Sequence, residues 1–117
     1  MTKKGRPMIY HMLPAEEWQR LNPREPYAAA TLETEGFIHC TQELDRLLWV
    51  ANRFYRQLPG DFLLLEIDPT RLQAELRWEE ADGYLFPHIY GPVNRDAICQ
   101  VLPFPRNNDG EFTAPAI

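Results

Sequence analysis

Apolar and polar positions fall into short runs along this chain, and a long helical period runs through one stretch. Met8 to Leu13 (MIYHML) is a strand-like run. Pro14 suits the first turn of a helix, where no backbone N–H is needed. Glu16 and Glu17 complement the dipole of that turn. Trp18 and Leu21 share a face before Pro23 and Pro26 end the pattern, which predicts a short helix over 14–22. Residues 22–35 have no period and read as a loop. Gly36 to Cys40 (GFIHC) is a second short strand, and Thr41 after it is a candidate N-cap. Leu44, Leu47, Leu48, Ala51, Phe54, Tyr55 and Leu58 then recur every three or four residues. That stripe predicts a core helix over 42–57 with Leu47, Leu48, Ala51 and Phe54 buried.

The second half reads mainly as strands. Asp61–Asp68 (DFLLLEID) is apolar enough for a buried strand, and Pro69 ends it. Leu76 and Trp78 alternate with charged residues, predicting a half-exposed strand over 74–79. Glu79–Tyr84 reads as an acidic turn. Phe86–Pro92 (FPHIYGP) reads as a compact segment whose path is fixed by prolines and glycine. Ala97–Phe104 is a last strand. Residues 1–7 read as a flexible leader and 105–117 as a loosely ordered tail, leaving one domain over 8–104. Five or six short strands and two main helices in mixed order predict an α+β fold, because the late strands leave no room for crossover helices.

Composition narrows the possibilities. The chain has 117 residues, a net charge of −5 and two cysteines. This length suits one domain with its own core. An acidic domain gains little from counterion release, so nonspecific nucleic-acid binding is not expected. The basic cluster Lys3, Lys4 and Arg6 reads as a solvated tail. No signal-like start and no membrane-length apolar run is found, so a cytoplasmic location and no membrane partner are expected. Reduced thiols at Cys40 and Cys99 follow from that compartment.

Candidate chemistry centres on His11, His39 and His88. Each lies within a short apolar motif, and a titratable group in such a setting calls for a partner or a task. The three are expected to converge on one polar cleft. His39 and His88 are the candidate acid–base groups; His11, Tyr10, Phe37, Cys40 and Tyr90 are the candidate ligand contacts. Tyr10, Tyr27, Phe37 and Tyr90 supply rings near the histidines, and one or two could stack on a flat ligand. No pair of ligands has the spacing of a zinc site, and adjacent His39 and Cys40 face opposite sides of a strand, so no metal is expected. Cys40 also precedes the predicted helix N-terminus, a place that lowers a thiol pKa, so a Cys40-dependent hydrolase or transferase is a further alternative.

The segments IYH (9–11), EGFIHCT (35–41), ANRFY (51–55), LLLEID (63–68) and FPHIYGP (86–92) closely resemble the small bacterial domain-of-unknown-function family 952, over about residues 8–104. The resemblance implies an ADP-ribosyltransferase-like fold of split antiparallel sheets around a nucleotide cleft. It implies NAD, ADP-ribose or a related nucleotide as ligand, and it brings no established activity. The element order also looks like that of the poly-ADP-ribosyl transferases. By that likeness, His11 takes the place of the first-strand histidine that holds the ribose of NAD. Gly36–His39 takes the place of the motif that shapes the nicotinamide pocket. His88 stands where those enzymes carry a glutamate, and an imidazole cannot supply its negative charge. RNA 2′-phosphotransferases of the same fold work without that glutamate, but in basic sites unlike this acidic chain. Two readings follow: a transferase-like enzyme with His88 as acid or base, or a non-catalytic ligand-binding or regulatory module on the same fold.

Overall fold

A computed structural model describes residues 7–117. Apart from Pro7, the expected leader and its basic cluster lie outside the described residues. The strands are β1 (Ile9–Pro14), β2 (Ile38–His39), β3 (Phe62–Ile67), β4 (Glu75–Ala81), β5 (Tyr84–Tyr90) and β6 (Ile98–Phe104). The helices are α1 (Ala15–Gln19), α2 (Ala30–Thr34) and α3 (Leu44–Phe54). The strands form two antiparallel sheets, ordered β1-β3-β6 and β2-β5-β4. The small α+β architecture expected from the pattern is therefore present.

Strand alternation builds two cores from the first sheet. Ile9 and Leu13 of β1 join Leu65 and Ile67 of β3 on one face, where they meet Ile38 and Ile89 of the second sheet and Cys40 just beyond β2. Met12, Phe62 and Leu64 occupy the opposite face and pack against Leu47 and Ala51 of α3. Both faces of this sheet are covered, so DFLLLEID reads as a continuous apolar run rather than an alternation. A reciprocal backbone pair between Tyr10 and Thr41, at 2.7 and 2.8 Å, joins the two sheets.

The structure corrects several expectations. Thr41 is committed to that bridge, so α3 starts later, after the extended residue Glu43. Leu47 and Ala51 are buried, Leu48 is half-buried, and Phe54 is 58% exposed. Helical period alone did not separate the residue facing the sheet from the one facing the neighbouring cleft. Residues 30–34, read as loop, form α2. Its single turn is too short to show a period.

The tail is also packed rather than loose. Phe112 is buried against Phe62 and Phe104, and Asn52 of α3 holds its backbone at both ends, through Nδ2 to the Phe112 carbonyl (3.1 Å) and Oδ1 to its N–H (2.7 Å). The Arg106 guanidinium donates to the carbonyls of Arg56, Gly60 and Gly110.

The β4–β5 hairpin positions the site. Residues 79–84 are not a broad acidic turn. Asp82 and Gly83 both have positive φ, 53° and 82°, and form the whole two-residue connection between β4 and β5. An Asp-Gly pair is the favoured sequence for such a hairpin, whose twist matches that of its strands. Both strands therefore extend to the turn, and Glu79 becomes a strand residue opposite Phe86. FPHIYGP likewise lies mostly in regular strand. Pro87 shapes its neighbour: Cys40 donates its N–H to the Pro87 carbonyl at 3.1 Å, but Pro87 has no N–H to return, and β2 ends at His39.

Candidate functional site

His39 of β2 and His88 of β5 are directly paired across the second sheet, so their side chains share a face. Their ring centroids lie 5.3 Å apart in an edge-on arrangement. Phe37, two residues before His39 on the same face, stacks on His88 with centroids 4.2 Å apart. This face and α3 bound a cleft of about 500 Å3. Phe86 contributes to its wall from the sheet, and Trp49 and Phe54 from the helix. The exposure of Phe54 is thus exposure to the cleft.

Each imidazole has a carboxylate partner. His88 Nδ1 lies 2.7 Å from Glu79 Oε1, and the Tyr90 hydroxyl donates to the same oxygen at 2.6 Å. Hydrogen bonds from Tyr90 and His88 hold the Glu79 carboxyl below the usual carboxylate range, so it is ionised and accepts only. Nδ1 of His88 therefore carries a proton. Nε2 keeps the free lone pair in the neutral ring and bonds to no other group among the described residues. Glu79 raises the Tyr90 pKa, keeping that hydroxyl protonated as a donor. His39 Nε2 donates to Glu35 Oε1 at 3.0 Å, with both side chains about half exposed. The result is one buried and one solvated imidazole, each oriented by a glutamate, in the constellation acid–base catalysis uses.

His11 has a different environment. Nδ1 approaches the His39 carbonyl at 2.7 Å, and a carbonyl only accepts, so Nδ1 is the protonated nitrogen. Nε2 then accepts from the Tyr27 hydroxyl, also at 2.7 Å. Burial lowers the His11 pKa from 6.5 to about 4, which keeps the ring neutral. Burial also raises the Tyr27 pKa, keeping its hydroxyl a donor. Both nitrogens of His11 are thus taken up by protein groups. His11 lines a smaller cavity of about 250 Å3 that shares His39, Thr31 and Tyr55 with the main cleft.

The remaining expected site residues divide between these places. Phe37 and Cys40 border the main cleft. Tyr10 lines the smaller cavity, and its hydroxyl donates to the buried Glu66 at 3.3 Å; burial and Glu66 push its pKa up to about 12. Tyr90 sits beside Phe37, bonded to Glu79, and is not among the residues lining the cleft. Cys40 is 3% exposed and packs as a small apolar side chain. Burial raises its thiol pKa, the reverse of the depression expected beside a helix N-terminus, which in fact begins at Leu44. The Cys40 nucleophile lacks the thiolate such chemistry needs. Sequence reasoning missed Glu79, Glu35, Trp49 and the cleft-facing role of Phe54. The Asp82-Gly83 pair was the available signal for Glu79, because a two-residue turn there places it on the strand and on the face of His88.

This α+β domain, with an imidazole pair at the junction of a sheet and a helix, belongs to the family described as protein of unknown function (DUF952), whose model matches residues 12–101. It is similar to protein CC0527 from Caulobacter crescentus. The crystal structure of that protein has a TM-score of 0.77 at 24% identity and covers 91% of this chain and 93% of its own. Its solution NMR structure has a TM-score of 0.70 at 25% identity, covering 88% and 89%. No curated protein matches the chain. No helix among the described residues is long and apolar enough to cross a membrane.

Proposed function

We propose that this protein binds the ring-bearing part of a nucleotide-like ligand in the main cleft and acts on it by acid–base chemistry. NAD and ADP-ribose are the first candidates, and the fold is read as a variant of the ADP-ribosyltransferase-like pair of split sheets. The observation that carries the proposal is the glutamate-oriented imidazole pair, 5.3 Å between ring centres, in a cleft walled by Phe37, Phe86, Trp49 and Phe54. Aromatic walls suit a flat ring, and imidazoles suit sugar hydroxyls or a reacting oxygen. Glu79 supports this reading in particular. Glu79 lies on the adjacent strand, bonded to His88 and outside the cleft lining, so its carboxylate acts on a ligand through His88. His88 Nε2 is the acid or base, His39 contacts the sugar or the leaving group, and Glu79 positions His88. His11 is assigned to support, fixing the His39 backbone through its carbonyl. No metal takes part in this scheme.

The non-catalytic alternative is favoured by one observation: His88 is 8% exposed and covered on one face by Phe37. A thermal-shift screen with NAD, ADP-ribose, nicotinamide and mononucleotides at millimolar concentration tests binding, followed by product analysis of any binder. A ligand at a hundredfold excess over its Kd stabilises the fold by about 2.7 kcal/mol, a shift of several degrees for a domain of this size. His39→Ala and His88→Ala should each reduce it. No shift with any of these compounds ends the nucleotide reading. A shift without product selects the binding module.

A further inference from the structure

Beside the main cleft, a cavity of about 460 Å3 opens between the first turn of α3 and the β4–β5 hairpin. Arg46 forms part of its wall, and Arg46 is the guanidinium found among the linings of the three cavities described. Two aromatic rings lie against this group, with Tyr84 3.1 Å and Trp49 5.0 Å from Cζ to ring centroid. Stacking uses the faces of a guanidinium and leaves its N–H edge for hydrogen bonds. Among the described residues no side-chain hydrogen bond and no carboxylate ion pair engages this guanidinium; Nε is itself buried, so a bond to a molecule in the cavity falls to the terminal nitrogens. Glu43 is a carboxylate on the same wall and does not pair with Arg46. In a chain of net charge −5 carrying 17 acidic residues, an arginine set against two rings with no carboxylate partner among the described residues has the charge and the donors that an anion needs. Trp78, Tyr84 and Leu85, all exposed, offer apolar surface around it.

We infer that this cavity is a subsite for an oxyanion, a phosphate or a carboxylate, carried by the ligand whose ring occupies the main cleft. The inference rests on the proposed function for its ring-binding half. Thr41 lines both cavities, and Trp49 lines the main cleft while holding Arg46, so one ligand can span the two. Arg46 supplies the positive charge that the main cleft, with Glu35 and Asp82 on its walls, lacks.

Calorimetric titrations of the full chain with adenosine, AMP, adenosine 5′-carboxylate and inorganic pyrophosphate test this. The tryptophan fluorescence of Trp49 and Trp78 provides a second readout. AMP should bind about tenfold more tightly than adenosine, as a charge-assisted hydrogen bond predicts. Arg46→Gln should erase that difference and leave adenosine binding unchanged. Tyr84→Leu, which frees the guanidinium, should reduce it in part. Adenosine 5′-carboxylate matching AMP identifies a general oxyanion site; matching adenosine, it identifies a phosphate site. Equal affinity for AMP and adenosine in the unaltered chain overturns the subsite and leaves the ring-binding reading standing. Pyrophosphate binding that is lost in Arg46→Gln, with no adenosine binding, sustains the anion site and overturns adenine as the ring it serves. No response to any of the four overturns the subsite, and the ring-binding reading then stands or falls by the thermal-shift screen with NAD, ADP-ribose and nicotinamide.

Discussion

The two sheets are built from similar material and differ in what covers them. The β1-β3-β6 sheet is covered on both faces, by the second sheet on one and by α3 and the Phe112 tail on the other. The β2-β5-β4 sheet is covered on one face and open to the cleft on the other. The same contrast separates two of the histidines. His11, in the first sheet, has both nitrogens bonded to protein groups, whereas His88, in the second, has no bond at Nε2 among the described residues. Apolar–polar alternation therefore marks a face without saying whether protein or ligand completes it. Where coverage is complete a titratable group stabilises the fold, and where it is partial the same residue type is available for chemistry.

The largest expected effect lies on the covered side. Phe112→Ala removes a ring that packs against Phe62 and Phe104 and should cost about 3–5 kcal/mol in urea unfolding. A loss under about 1 kcal/mol would show that the tail does not close the core. The effect of pH should come next in size. His11 has a pKa of about 4 in the folded chain against 6.5 ordinarily, so the unfolded chain binds the extra proton. Its contribution is therefore fully present above pH 6.5 and is lost as pH falls towards 4, by up to about 3 kcal/mol. His11→Gln should flatten that part of the stability–pH curve, and an unchanged slope would break the contrast between His11 and His88.

Effects on the open side should fall on the site more than on the fold. Glu79→Leu removes the acceptor for His88 Nδ1–H, so the proton should redistribute between the two ring nitrogens. Nitrogen-15 NMR of the imidazole reads this directly, and a tautomer ratio equal to that of the unaltered chain would remove Glu79 from the site. Phe54→Ala gives the smallest expected effect on stability, within about 1 kcal/mol, because its ring faces the cleft. A cost comparable to that of Phe112→Ala would mean that the cleft wall is core after all.

Much of this was legible in local pattern. The strands around His11, His39 and His88, the α3 stripe through Leu47 and Ala51, and the α+β class all depend on periodicities of two and 3.6, which backbone geometry imposes on sequence. The opposite facing of His39 and Cys40 follows from the same rule. The partners of those residues were less legible. Glu79 meets His88 nine residues on because a tight turn sets the register between β4 and β5. Tyr27 meets His11 through a loop that has no period. The fate of Phe54 depended on which side of α3 faced the first sheet and which the cleft.

Local pattern set most strand positions, the α3 stripe, the buried identity of Leu64, Leu65 and Ile67, and the three motifs that carry the histidines. These are decided within a few residues, by side-chain period and by the backbone limits of proline and glycine. Only the assembled fold pairs His39 with His88 and encloses His11, brings Glu35 and Glu79 to the imidazoles, and sets Arg46 against Tyr84 and Trp49 with no carboxylate partner among the described residues. Burial, hydrogen-bond partners and pKa depend on atoms brought together from distant parts of the chain, and no local period encodes which atoms those are.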